Sequence, residues 1–153
     1  MPAEKSERYA CACERILSLC EGESDEIALM ASIVTVLHHE MADFYWTGFY
    51  RVIDGGLVIG PYQGTVGCLR IAFGKGVCGT AAQTEETQVV PDVHRFSGHI
   101  SCDARSKSEI VVPVRNREGD LIGVLDIDSE EKGTFDDVDR EALEGILKTI
   151  WQR

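Results

Sequence analysis

A chain of 153 residues, 44% hydrophobic and 27% charged, has the size and composition of one ordinary soluble domain that can bury a core without disulfide staples. Its formal net charge of −11 repels phosphate backbones and anionic bilayers, which argues against nucleic acid and membrane surfaces as partners. Met1–Tyr9 is polar and lacks the apolar segment of a secretory leader, and no apolar run approaches the ~20 residues of a membrane span, so a cytoplasmic location is expected.

Residues 4–21 carry Tyr9, Cys13, Ile16, Leu17 and Cys20 at helical spacing, with Gly22 suited to the C-cap. Ser24 is the expected N-cap of a second helix, with Asp25 and Glu26 in its first turn and an apolar face of Ile27, Met30, Ala31, Ile33, Val34 and Leu37. From there the period changes. Asp43–Ile53 is aromatic and β-branched and predicts a strand. Asp54, Gly55 and Gly56 supply a hairpin turn, and Leu57–Tyr62 returns as a second strand. A short strand near Cys68–Ala72 precedes Phe73–Thr84, whose glycines and later alanines predict a loop leading into a short helix. Gln88–Val90 is a short strand stopped by Pro91. Pro91–Lys107 is a long irregular stretch, which in a compact domain marks function or disorder. Glu109–Val114 and Leu121–Ile127 are apolar strands, and Asp136–Trp151 closes the chain as an amphipathic helix. This order predicts a single α+β domain over residues 1–153: a central antiparallel sheet of about six strands, with the N- and C-terminal helices packed on one face.

Six cysteines in a reducing compartment are inert thiols, metal ligands or redox groups rather than structural bridges. Cys11, Cys13 and Cys20 fall in the first helix, where a C-x-C pair points to different faces and chelates poorly. They read as core or surface residues. Cys68, Cys78 and Cys102 stand beside glycine or polar residues, in expected loops or at strand edges. Glycine lets the backbone come close to a ligand or a second thiol. Redox chemistry, a metal site and three unrelated buried thiols all remain open on this ground. The metal alternative gathers His94, His99 and Cys102 with Cys68 or Cys78, although no cysteine pair outside the first helix has C-x₂₋₄-C spacing.

Asp126 and Asp128 are two apart on a strand and face one side. If Glu109 converges on them, like charges held together push a pKa upward and create a proton donor near neutral pH, while ionised neighbours attract an ammonium. Trp46 and Tyr50, four apart, share a strand face as core or as the wall of an apolar pocket.

Seven segments combine these residues: Trp46–Tyr50, Gly60–Gly64, Phe73–Ala82, Val90–His94, Gly98–Asp103, Ser108–Pro113 and Ile122–Ser129. Together, over roughly Asp43 to Phe135, they resemble the free methionine-(R)-sulfoxide reductase family. The GVCGTAA (Gly76–Ala82) and GHIxCD (Gly98–Asp103) motifs are highly specific in combination, and the first helix, with its three cysteines, lies outside the pattern. The resemblance implies a GAF fold with a ligand pocket under loops. It also implies thiol-dependent reduction of the free amino acid's R-sulfoxide, an antioxidant repair activity. Cys102 matches the residue that attacks sulfur, Cys68 the resolving thiol that forms a disulfide with it, and Cys78 the third motif cysteine. Trp46 and Tyr50 match aromatics at the methylsulfinyl end of the substrate. Glu109, Asp126 and Asp128 match carboxylates that hold its polar end and handle protons. No metal or organic cofactor is expected. Thioredoxin or a similar dithiol is the expected reductant, and the common pairing of GAF domains through terminal helices points to a homodimer without fixing the oligomeric state. A ligand-sensing module of the same fold is the alternative, and it leaves the three loop cysteines unexplained.

Overall fold

The computed structural model describes residues 2–100 and 102–153, apart from the side chains of residues 2 and 3. Ser101 of the GHIxCD motif therefore lies outside the described residues. Helix α1 (Pro2–Leu19) buries Tyr9, Ala12 and Ile16, and Gly22 (φ +73°) turns the chain after it. Helix α2 (Glu26–Glu40) is capped by Asp25, whose Oδ1 accepts from the Ala28 amide at 2.9 Å. The cap expected at Ser24 is thus displaced by one residue. Asp25 is the side chain that reaches the third helical amide, while the Ser24 and Asp25 amides donate to Glu23. The buried face of α2 is Leu29, Met30, Ile33, Val34, Val36 and Leu37, and the expected Ile27 and Ala31 face solvent.

The strands are β1 (Trp46–Ile53), β2 (Gly56–Gln63), β3 (Arg70–Ala72), β4 (Gln88–Val90), β5 (Ser108–Arg115) and β6 (Leu121–Ser129). They form one antiparallel sheet in the order β3-β2-β1-β6-β5-β4. Between β1 and β2 the turn is two residues long, Asp54 (φ +51°) and Gly55 (φ +76°), and Gly56 already pairs with Ile53. Two successive left-handed residues give the twist that a tight hairpin needs, and Asp-Gly adopts it readily.

One face of the sheet carries Phe49, Ile110, Val112, Val114, Leu125 and Ile127, packed against α2 and helix α4 (Asp137–Trp151), with α1 packed on those two helices. This is the main core, with the terminal helices on one face as expected. Asp136 caps α4 in a reciprocal capping box with Asp139. Buried Asp139 also accepts from Lys5 Nζ at 2.8 Å and from the Tyr9 hydroxyl, which ties α1 to the start of α4.

The other face carries Trp46, Tyr50, Val111 and Val124 beneath helix α3 (Gly76–Thr84). Strands β3 and β4 are the two edges of the sheet, so the chain must cross this whole face between them, and α3 makes the crossing. Such a connection leaves the middle of the face open to the loops on either side. Among the described residues no helix is long and apolar enough to cross a membrane.

Candidate active site

Strand register builds the floor of the site. Asp128 on β6 pairs with Trp46 on β1 and with Glu109 on β5, and Asp126 pairs with Gly48 and Val111. Alternation along each strand then points Trp46, Tyr50, Glu109, Asp126 and Asp128 to the same face. All five line one cavity of about 50 Å³, together with Cys78 and Cys102. The expected convergence of the three carboxylates and two aromatics is what the sheet produces.

The aromatic wall depends on small neighbours. Trp46 stacks with Tyr50 (centroids 6.0 Å apart) and with Tyr62 (5.2 Å). A Cβ at Gly67 would lie 2.8 Å from the Trp46 ring and 2.9 Å from Ile59, so the loop carrying Cys68 comes this close only because residue 67 has no side chain. The indole Nε1 donates to the Thr65 carbonyl at 2.7 Å, which pins the same loop to β1.

Cys102, which lines the cavity, forms a disulfide with Cys68, next to the lining residue Gly67, with Cα atoms 5.7 Å apart. The disulfide joins the β2–β3 loop to the β4–β5 loop, two segments that are distant in sequence. Cys102 is exposed and Cys68 half-buried. Asp103, next to Cys102, takes hydrogen bonds from the hydroxyls of Tyr45 and Thr65, both at 2.7 Å, and from the Arg105 amide at 2.9 Å. The Arg105 guanidinium lies over the Tyr45 ring, 5.1 Å from its centroid. Donors from Thr65, the Arg105 amide and Tyr45 hold the Asp103 carboxyl well below the usual carboxylate range.

The buried end of the cavity is acidic. Glu109 and Asp126 are 5% and 6% exposed, and ligand-capable atoms of Cys78, Glu109 and Asp126 all lie within 4.8 Å of one another. Asp126 Oδ1 is buried and has no hydrogen-bond partner among the described residues. Burial, reinforced by the neighbouring aspartates, pushes Glu109 well above the ordinary carboxylate range. Burial also raises Asp126, and raises Asp128 strongly despite the Ser106 hydroxyl, which donates to Asp128 Oδ1 at 2.7 Å. His99 Nε2 stands 3.7 Å from Glu109 Oε1, and burial lowers the His99 pKa.

Two expectations need correction. Cys78 is not in a loop or at a strand edge. It is buried in α3, because the chain already turns helical at Gly76, and burial pushes its thiol well above the ordinary range. The four-ligand metal set does not assemble. Cys68 and Cys102 are bonded to each other, and exposed His94 turns its Nδ1 to Asp92 at 3.3 Å. Cys11 on α1 is exposed, Cys13 on α1 half-buried and Cys20, just past its end, buried, with no part in the cavity. Sequence reading passed over Tyr45, Thr65, Asp103 and Ser106 as members of the site. The adjacency of Asp103 to Cys102 was the one available signal.

The GAF domain model matches residues 25–153. The free methionine-R-sulfoxide reductase of Escherichia coli is 44% identical over 148 residues, covering 95% of this chain and 88% of its own length. The reduced form of the Staphylococcus aureus fRMsr superposes with a TM-score of 0.91 at 46% identity, covering 94% of this chain and 93% of that one. The Neisseria meningitidis free methionine-R-sulfoxide reductase, solved in complex with its substrate, gives 0.91 at 40% identity, over 97% of this chain and 88% of that one. With a GAF domain match over most of its length and relatives of this identity aligned almost end to end, the chain belongs to the GAF-fold family of free methionine-R-sulfoxide reductases.

Proposed function

We propose that this protein reduces free L-methionine-(R)-sulfoxide to methionine with its own thiols, in antioxidant repair. The observation that carries the reading is the Cys68–Cys102 disulfide beside a cavity with an aromatic wall and a carboxylate floor. A methyl sulfoxide offers an apolar methyl group for Trp46 and Tyr50. A free amino acid offers an ammonium for the acidic end, where Asp126 Oδ1 has no partner of its own among the described residues.

In the reduced enzyme the exposed Cys102 attacks the sulfoxide sulfur as its thiolate. The substrate sulfur gains an electron pair and leaves as a thioether. Its oxygen passes to Cys102, which becomes a sulfenic acid. Sulfoxide oxygen leaves readily only when protonated, and Glu109, whose pKa burial and two neighbouring aspartates push well above the ordinary range, is the group suited to supply that proton. Cys68 then condenses with the sulfenic acid to give the disulfide and water. Thioredoxin or a similar dithiol reduces the disulfide by exchange and closes the cycle. Cys78, whose buried thiol resists ionisation, packs against Asp126 at the cavity floor and is not a nucleophile in this scheme.

The carboxylates also select the free amino acid. A peptide-bound residue presents a neutral amide and leaves buried acidic groups without a cation, and sites built on such polar contacts discriminate by up to ~10⁴–10⁵-fold.

The test supplies purified protein with free L-methionine-(R)-sulfoxide and dithiothreitol and follows methionine by chromatography, with the S epimer and a peptide-bound sulfoxide alongside. Methionine from the free R epimer only is the expected result. No methionine from any of the three, with folded and reduced protein, overturns the reading.

A further inference from the structure

Two bonds run side by side between the same two loops. One is covalent, Cys68 to Cys102. The other is polar, Thr65 to Asp103, with the hydroxyl 2.7 Å from Oδ2. The loop residues involved are three apart on one side and adjacent on the other. Asp103 does more than bridge the loops. The same Oδ2 accepts from Tyr45, next to β1 of the sheet, and Oδ1 accepts from the Arg105 amide in its own turn. One carboxylate therefore clamps the Cys102 turn to the Cys68 loop and to the rigid floor beneath both.

In each catalytic cycle the covalent bond is absent for a time. During that interval Cys102 is a thiol and then a sulfenic acid, and Cys68 must find it. Nothing in the redox chemistry consumes the Asp103 bonds, so they are available to hold the loops while the disulfide is open. We infer that Asp103, through Thr65 and Tyr45, is the positioning residue for disulfide closure: it keeps Cys68 and Cys102 within bonding reach while no covalent tie joins them. The closure it serves is Cys102–SOH plus Cys68–SH giving Cys102–S–S–Cys68 plus water. The S–O bond breaks, the S–S bond forms, and the Cys68 proton leaves with the hydroxide as water. The advantage is that of a pre-oriented intramolecular reaction over two wandering loops. An anionic acceptor makes stronger hydrogen bonds than a neutral one, and the donors around Asp103 keep it ionised.

This inference rests on the proposed sulfenic-acid chemistry, so its test starts closure in two ways. Reduced wild type, Asp103→Ala, Asp103→Asn and Thr65→Val are each mixed with free methionine-(R)-sulfoxide and, separately, with hydrogen peroxide. Three readouts follow: the methionine burst, the Cys68–Cys102 disulfide by thiol counting, and sulfenic acid trapped by dimedone. Expected is closure slowed roughly tenfold or more in Asp103→Ala relative to that variant's own methionine burst, as loss of hydrogen bonds to a charged group implies. Sulfenic acid accumulates correspondingly. Thr65→Val slows closure less, and Asp103→Asn, which keeps one acceptor, recovers part of the rate. A general loss of structure would lower burst and closure together, and Thr65→Val decides if Asp103→Ala does not fold. Closure at the wild-type rate in the folded variants overturns the inference. A missing wild-type burst with normal closure by peroxide would instead overturn the substrate reading, and the peroxide arm then decides the role of Asp103 alone.

Discussion

Glu109 and Asp128 are direct cross-strand partners, and both carboxyls are pushed up by burial. Like charges directly opposite on a sheet destabilise it, and the raised pKa values favour a proton on the pair over two facing carboxylates.

That arrangement predicts a pH signature. A carboxyl whose folded pKa is raised contributes stability that is fully present below its unfolded value, near ~4, and is lost as pH rises through the folded value. Glu109→Gln is neutral at every pH and escapes this loss. The Tm of Glu109→Gln relative to wild type should therefore increase from about pH 4 to pH 8, each kcal/mol appearing as roughly 2–4 °C in a chain of this size. Asp103 and Asp92, whose pKa values are lowered, lose stability as pH falls instead. They are common to both proteins and cancel in the difference. Calorimetry that gives a constant gap across this range would show that Glu109 does not hold a raised pKa.

The two bonded cysteines should separate cleanly in kinetics. If Cys102 is the attacking thiol, as proposed, no methionine should form from Cys102→Ser at any substrate concentration. Cys68→Ser leaves that thiol in place, so one equivalent of methionine per enzyme should appear in a burst, followed by slow turnover with thioredoxin. Rapid-quench chromatography reads both. Full turnover in Cys102→Ser would discard the mechanism, and unimpaired recycling in Cys68→Ser would remove Cys68 from its role.

Gly67→Ala tests the approach of the Cys68 loop to the aromatic wall. The new methyl would meet the Trp46 ring at 2.8 Å and Ile59 at 2.9 Å. Overpacking of this kind costs about 1–3 kcal/mol, and the exposed loop yields more easily than the sheet below it. Expected are a fall in Tm, a weaker Trp46–Thr65 bond and slower disulfide closure. Thermal unfolding and thiol counting on one preparation check all of this, and closure at the wild-type rate would show that the loop accommodates the methyl without moving Cys68.

The sheet was legible because its signals are local. Alternation placed Asp126 with Asp128 and Trp46 with Tyr50, and Asp54-Gly55 announced its hairpin. Cys78 was misplaced because the run from Gly76 to Ala82 mixes glycines with helix formers, and only packing beneath the loops settles it as helix. The bonds from Asp103 to Thr65 and Tyr45 join positions 38 and 58 residues apart. They exist because the β2–β3 and β4–β5 loops meet over the sheet, and no periodicity reports such a meeting. Ser106 on Asp128 is hidden for the same reason: its partner lies on another element, 22 residues away.

Asp128 offers the sharpest test of selectivity. It lies between Trp46 and Glu109 in register, at the junction of the aromatic wall and the acidic end. The Ser106 hydroxyl fixes its Oδ1 and leaves the other oxygen for a ligand. If that oxygen receives the substrate ammonium, Asp128→Asn loses the charge and keeps the shape. KM for the free sulfoxide should then rise roughly 10–100-fold, as expected for a charged hydrogen bond, with a smaller change in kcat because the reacting sulfur is held elsewhere. Activity toward a peptide-bound sulfoxide, which has no ammonium to lose, should stay as low as before or improve slightly. The ratio of kcat/KM for free over peptide-bound substrate is the decisive quantity. If it is unchanged in Asp128→Asn, selectivity does not run through this carboxylate, and Asp126, with its unpartnered oxygen, becomes the group to replace.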